Sequence, residues 1–341
     1  MADDIDPTLW MYRALRASVR AALYLYCGRI RVDVRSAPPV DTVLLLASNH
    51  PNSFFDALVI ATHLPHRMRF LARGDAFRDP RAAKMLGALF MIPIYRMSDG
   101  RAELRRTEDS FLLAQEDLEH GGSVLVFSEG NSENESGLRP LGKGTARIAY
   151  RAWQSGLDVR VLPVWLRYDT YHLPFMEVCI GTGEMMDHSA TPVRPEAVFL
   201  RGFNSVLRDR LLKASAIVDA RRSLDTSRCS GALRTMCRII LVLPALAGLL
   251  LHAPWYFPLR AFTAGKTRGT VFFDSVLFGL LFLTYPLWLL ALVAMAVFAG
   301  LGWWSLIMIT VGPISLSALR SFRMRWTGNV ISEEAPSIRI T

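Results

Sequence analysis

The 341-residue chain has little cysteine. Cys27, Cys179, Cys229 and Cys237 are all it holds, and no two of them form a CxxC pair. That argues against a disulfide framework or a cysteine-built zinc site and favours reduced thiols facing a cytoplasm. No internal repeat and no low-complexity linker divides the sequence. The opening MADDIDP is acidic and carries no apolar core, so a cleaved signal peptide is not expected. The most informative absence is charge: residues 275–319 contain no Asp, Glu, Lys or Arg.

A bilayer crossing takes about 20 apolar residues, so that run predicts a hairpin of two crossings. Its turn falls at Gly300-Leu301-Gly302, with Trp303 and Trp304 at the far interface. Cations stand outside both ends, Arg260, Lys266 and Arg268 before and Arg320, Arg323 and Arg325 after. The excess of cations on cytoplasmic flanks then places both ends in the cytoplasm, with 320–341 as a cytoplasmic tail. Residues 239–259 are also uncharged but hold Pro244, His252, Pro254 and Pro258. A full crossing there would carry the next three cations outside, so a re-entrant or interfacial segment is expected.

The net charge of +9 calls for an anionic partner. Much of it lies in 201–238, a basic helical linker with Arg208, Arg210, Lys213, Arg221 and Arg222. Beside a membrane segment, and without a nucleic-acid-binding motif, this charge suits anionic lipid and phosphorylated substrate rather than nucleic acid. At the other end, residues 1–32 read as an amphipathic, interfacial helix. Tyr12, Leu15, Val19 and Leu23 form its apolar stripe, with Arg13, Arg16 and Arg20 alongside.

Between these flanks, 33–200 alternates strand and helix patterns. Strands are expected near 42–47, 67–72, 90–94, 123–127, 159–165 and 175–180. Helices are expected near 53–63, 80–88, 101–119, 144–155 and 201–218. This alternation predicts an α/β fold with a mixed, mainly parallel sheet flanked by helices, followed by the C-terminal helical membrane region.

Four stretches carry candidate chemistry. In VLLLASNHPNSFFD (Val43–Asp56) an apolar strand ends in small residues and delivers Asn49 and His50 to a sheet edge. A neutral imidazole there can take a proton from an alcohol, and Asp56 can hold its other nitrogen in the required tautomer. The second stretch, GALFMIPIYR, ends in Arg96, a side chain suited to gripping phosphate. The third, SVLVFSEG, presents Glu129 and Gly130 just past a strand. A glutamate there can hold a polyol hydroxyl, and a glycine lets backbone approach closely. Arg139 and Lys143 follow, at the electropositive start of a helix. The near-match GLRPLGKG (Gly137–Gly144) is not a P-loop: Gly137 lies well beyond the strand, and Gly144 replaces the magnesium-binding hydroxyl. The fourth stretch, VRVLPVWLRY, has a central Pro163, which marks an edge, a bulge or a bend beside a site.

In this order the four stretches resemble the glycerolipid acyltransferase superfamily over about residues 40–185. Its N-H-x4-D motif is approached by Asn49, His50 and Asp56, its terminal arginine by Arg96, its F-P-E-G by Phe127-Ser128-Glu129-Gly130, and its proline-centred strand by Val161–Val164. Two departures stand out. Ser128 replaces a proline, and five residues rather than four separate His50 from Asp56. Positions six apart in one helix lie about 9 Å apart along its axis, so the loop after His50 must fold back before its helix begins. The longer interval and the membrane segments downstream resemble the glycerol-3-phosphate and dihydroxyacetone-phosphate acyltransferase branch.

The resemblance implies direct acyl transfer to a phosphorylated glycerol acceptor, with acyl-CoA or acyl-carrier protein as co-substrate and no metal or redox cofactor. It makes His50 the general base and Asp56 its orienting partner. Asn49, Arg96, Glu129, Gly130, Arg139 and Lys143 would bind substrate, and the catalytic domain of an integral membrane protein would face the cytoplasm. Acylation of lysophosphatidate is the nearest alternative. A non-catalytic lipid-binding scaffold is the alternative of another class.

Overall fold

The structure, a computed structural model, describes residues 7–34, 38–39, 42–77, 79–80, 91–94, 103–191, 195–225 and 231–327. The helix expected near 80–88 and Arg96 lie outside them. The chain forms two bodies. One comprises Val32–Arg167 and Cys179–Val218; the other comprises Met1–Arg31, Tyr168–Val178 and Asp219–Thr341.

The strands, in chain order, are β1 (Arg29–Asp33), β2 (Leu44–Ser48), β3 (Met68–Arg73), β4 (Met91–Ile94), β5 (Ser123–Phe127), β6 (Arg160–Tyr168) and β7 (Glu177–Thr182). They make one seven-stranded sheet in the order β1-β7-β6-β2-β5-β3-β4. The pairs β2–β5, β2–β6, β3–β5 and β3–β4 are parallel. Every residue of β2 is buried, which is why its sequence, LLLAS, shows no polar alternation. From β2 the chain runs to β3 and β4, returns through β5, then crosses to β6 on the other side of β2. Such reversals open a crevice at the carboxyl ends of the strands.

Helices cover both faces of this layer. Helix α2 (Ser53–His63) buries Phe55, Val59 and Ile60. Helices α3 (Glu103–Glu119), α4 (Gly144–Gln154) and α5 (Glu196–Asp225) close a core with Phe111, Trp153, Phe199, Phe203 and Leu207 over Val124 and Val161. Pro163 lies on β6, inside the sheet rather than at its edge. Its carbonyl accepts the Gly183 N–H at 2.8 Å just past the end of β7, and pairing resumes only at the Val161–Met186 bridge. The missing proline donor thus falls where the ladder is interrupted. Gly183 fits closely there: a Cβ would stand 3.0 Å from the Arg210 carbonyl and 3.1 Å from Pro163 Cβ, so its neighbours would have to give by a few tenths of an ångström.

The other body holds α1 (Pro7–Tyr26), which buries Tyr12, Val19 and Leu23 from the expected stripe. It also holds α6 (Gly231–Lys266), α7 (Phe273–Phe298) and α8 (Met308–Thr327), with a 3-10 turn at Gly302–Ile307. Within these, Ile239–Lys266, Phe273–Phe298 and Gly302–Arg323 are each long and apolar enough to cross a membrane. The stretch 239–259, expected as a re-entrant or interfacial segment, lies in one continuous helix despite Pro244, Pro254 and Pro258. Close packing supports it: a Cβ on Gly248 would stand 2.2 Å from the Ser315 carbonyl of α8, so only glycine permits this approach.

Candidate active site

Ser48 and Phe127 are register partners at the carboxyl ends of β2 and β5. The residues two beyond each, His50 and Glu129, therefore emerge side by side. The imidazole of His50 stacks on the Phe127 ring, 3.8 Å between centroids and 9° between planes. Its Nδ1 lies 2.9 Å from Asp56 Oδ2, which also accepts the Asn52 N–H at 2.8 Å. Asp56 is fully buried, whereas the His50 side chain keeps 17% of its surface exposed. A carboxylate only accepts, so Nδ1 carries a proton, and in the neutral ring Nε2 presents the lone pair. Nε2 has no hydrogen-bond partner among the described residues.

The five-residue interval is accommodated as the helix geometry requires. Residues 50–52 precede α2, and Ser53 turns the chain at a φ of +51°, a left-handed conformation uncommon for serine. That brings Asp56, in the first turn of α2, back against His50. A second loop holds this turn from outside. Ser53 N–H donates to Ser132 Oγ at 2.6 Å, Asn134 Nδ2 to the Pro51 carbonyl at 2.9 Å, and Glu133 N–H to the His50 carbonyl at 3.2 Å. Ser132, Glu133 and Asn134 were not singled out in the sequence. Their only signal is a run of short polar residues, which reads as an ordinary loop.

Glu129 is almost wholly buried, and both of its oxygens are engaged. Oε2 accepts the His50 N–H and Arg139 Nη2, each at 3.0 Å, and Oε1 accepts the Arg139 N–H at 2.9 Å. It is a bracket between the loops of His50 and Arg139. Gly130, at φ +74°, meets nothing within 4 Å where a Cβ would stand, so space opens beside the bracket. Asn49 is buried, with both ends of its amide on the backbone of Leu166: Nδ2 donates to the carbonyl at 2.8 Å, and Oδ1 accepts the N–H at 2.7 Å. It ties the loop after β2 to β6.

Ser128 stands where the related motif has proline. Its N–H donates to the Ser48 carbonyl at 2.8 Å, a bond proline cannot make, and its hydroxyl pairs with Thr145 Oγ1 at 2.9 Å. The Gly142 N–H returns to the Ser128 carbonyl at 2.7 Å, which brings the start of α4 to the end of β5. The two expected cations part here. Arg139 turns to Glu129 and to the Asn131 carbonyl. Lys143, at the N-terminus of α4, lines a basic recess of about 640 Å³ with Arg147, Arg201, Asn204 and Glu196. Sequence reasoning missed Asn204, whose amide holds the Gly142 carbonyl at 3.0 Å from α5. Arg96 lies outside the described residues and is not placed.

The arrangement can accept one proton from an alcohol, stabilise the resulting imidazolium on a buried carboxylate, and hold anionic groups nearby. Comparison with known proteins bears on the same region. Residues 29–167 match the family model Acyltransferase. No curated protein matches the chain. The solved structure of the 1-acyl-sn-glycerophosphate (LPA) acyltransferase PlsC from Thermotoga maritima is similar at 18% identity and a TM-score of 0.47, over 67% of this chain and 86% of that one. The matched segment contains His50, Asp56, Glu129 and most of the mainly parallel sheet that positions them, so this part of the chain carries the likeness to acyltransferases.

Proposed function

We propose that this protein is a membrane-bound O-acyltransferase that moves a fatty acyl chain from a thioester, acyl-CoA or acyl-carrier protein, to glycerol 3-phosphate or dihydroxyacetone phosphate. The observation that carries the reading is the His50–Asp56 pair, with Nδ1 held at 2.9 Å and Nε2 open. The acceptor hydroxyl gives its proton to Nε2 as its oxygen attacks the thioester carbonyl carbon. The tetrahedral intermediate then expels the thiolate, which takes the proton back from the imidazolium. Asp56 keeps the tautomer and offsets the transient positive charge, so no protein nucleophile is needed.

Glu129 and Asn49 serve as positioning residues in this reading, because their polar atoms already hold the loops that carry His50. Arg139 beside Glu129 and Lys143 in the basic recess draw the phosphates of acceptor and donor, together with Arg96. Two features favour a small phosphorylated acceptor over lysophosphatidate: the five-residue His50–Asp56 interval and the apolar helices that follow the acyltransferase domain. The cations outside residues 275–319, Arg260, Lys266 and Arg268 before and Arg320, Arg323 and Arg325 after, favour a cytoplasmic place for both ends of that run.

The test is an acceptor competition on the full chain in detergent, with labelled palmitoyl-CoA and, in parallel, palmitoyl-carrier protein. Glycerol 3-phosphate, dihydroxyacetone phosphate and lysophosphatidate compete as acceptors, with His50→Ala as control. Product from either of the first two, lost in His50→Ala, is the expected result. Product from lysophosphatidate alone would assign the second acylation instead. His50-independent product would remove the base from the mechanism.

A further inference from the structure

The helical body contains a cavity of about 660 Å³ that none of His50, Asp56, Glu129, Arg139 and Lys143 lines. Its lining comes from that body alone: one face of α1, residues 173–175, and α6, α7 and α8. The volume is that of a small-molecule site. Its walls are almost entirely carbon, and several of the polar groups in them are occupied. His252 Nδ1 bonds the Gly248 carbonyl at 2.9 Å and its Nε2 faces Tyr285 Oη at 3.4 Å, while Trp255 Nε1 donates to Thr284 Oγ1 at 2.9 Å. Walls of this kind do not hold water and favour an apolar guest.

The charge is asymmetric. Arg260 and Arg323 line the cavity, and no carboxylate does so among the described residues. The guanidinium of Arg260 lies 6.0 Å from the Phe273 ring centroid, and that of Arg323 lies 6.0 Å from Phe175. Asp274, next to Phe273, has its oxygens on the Tyr26 hydroxyl and the His172 N–H. Arg260 follows His252 by eight residues on α6, and Arg323 follows Pro313 by ten on α8. At 1.5 Å per residue the apolar depth therefore extends roughly 12–15 Å from the cationic end.

We propose that this cavity binds one anionic glycerolipid, with an acyl chain in the apolar depth and the phosphate on Arg260 and Arg323. A chain alone would need no cations, and a soluble anion would need no apolar depth. The pair of features selects a lipid phosphate, supplied either as a phosphomonoester such as phosphatidate or as a phosphodiester such as phosphatidylglycerol.

The full chain in nonionic detergent is titrated with phosphatidate, phosphatidylglycerol or phosphatidylcholine and read by native mass spectrometry. Brominated-chain versions of the same lipids report the cavity by quenching tryptophan, because Trp255 is in its wall. One anionic lipid is retained per chain, about 10- to 100-fold more tightly than phosphatidylcholine. The tighter of the two anionic arms identifies the ester class. In Arg260→Gln/Arg323→Gln that preference falls to the phosphatidylcholine level. In Ala253→Phe, which puts a ring into the cavity and keeps both arginines, retention and quenching are lost while elution and far-ultraviolet dichroism stay unchanged. Equal binding of phosphatidylcholine, an unaltered preference in the arginine variant, or full retention in Ala253→Phe would each overturn the proposal.

Discussion

Replacing Asp56 by asparagine isolates the charge behind His50 from the shape that holds it. The amide oxygen can still accept from Nδ1 and from the Asn52 N–H, which share Oδ2 at 2.9 and 2.8 Å. The stacked position of the ring on Phe127 is therefore kept. What disappears is a full negative charge next to the imidazolium that forms during transfer. At an effective dielectric near 20, unit charges roughly 4 Å apart attract by about 4 kcal/mol. The amide dipole retains part of this, so a loss of about 3–4 kcal/mol, or roughly 10²- to 10³-fold in kcat, is expected. KM should change little, because the Asp56 side chain is fully buried behind His50. The assay is release of free CoA thiol from palmitoyl-CoA, followed in the wild type, Asp56→Asn, His50→Ala and the double variant. Because the two residues act as a unit, the double variant should be no slower than His50→Ala. Activity of Asp56→Asn within about threefold of wild type, or losses that multiply in the double variant, would refute the pairing.

Three further outcomes follow from particular contacts. Restoring proline at position 128 removes the bonds to Ser48 and Thr145, so Ser128→Pro should lower stability by about 2–3 kcal/mol in urea unfolding despite matching the family motif; equal stability would contradict this. Gly248→Ala places a Cβ 2.2 Å from the Ser315 carbonyl, whereas at Gly279 a Cβ meets nothing within 4 Å. The first variant should lose about 3–10 °C in Tm in detergent and Gly279→Ala almost none, and similar Tm values would deny the close α6–α8 approach. Burial raises the carboxyl pKa of Asp117 more than Arg69, at 2.9 Å, lowers it. The folded state then binds more protons, and stability falls as pH rises from about 3.9 through the raised folded value. Asp117→Asn should flatten that slope in a Tm-against-pH series, and an unchanged slope would place it elsewhere.

The parts of this protein legible in its sequence are those set by local pattern. The buried strands β2 and β5 show themselves as apolar runs, and the sites at their ends follow from parallel pairing. Strand β1, RIRVD, was not anticipated, because it lies at the sheet edge and its charged residues give no apolar run. The long interval between His50 and Asp56 was visible, but its solution was not. A serine at φ +51° has no signature of its own and is held by Ser132, far along the chain. The expected substrate contacts of Glu129 and Asn49 came from their place in a motif. The atoms those side chains engage depend on loops that no local pattern specifies.

The second loop also has a bearing on how the enzyme comes into being. The contacts that hold His50 and Ser53 come from Glu129, Ser132 and Asn134, 79 to 83 residues later. On a chain emerging from the ribosome, the base and its carboxylate are synthesised long before the loop that holds their turn. A nascent chain ending before β5 has every atom of the proton-transfer pair but lacks its mould. On the proposed reading, catalytic competence should therefore appear late, when β5 docks beside β2.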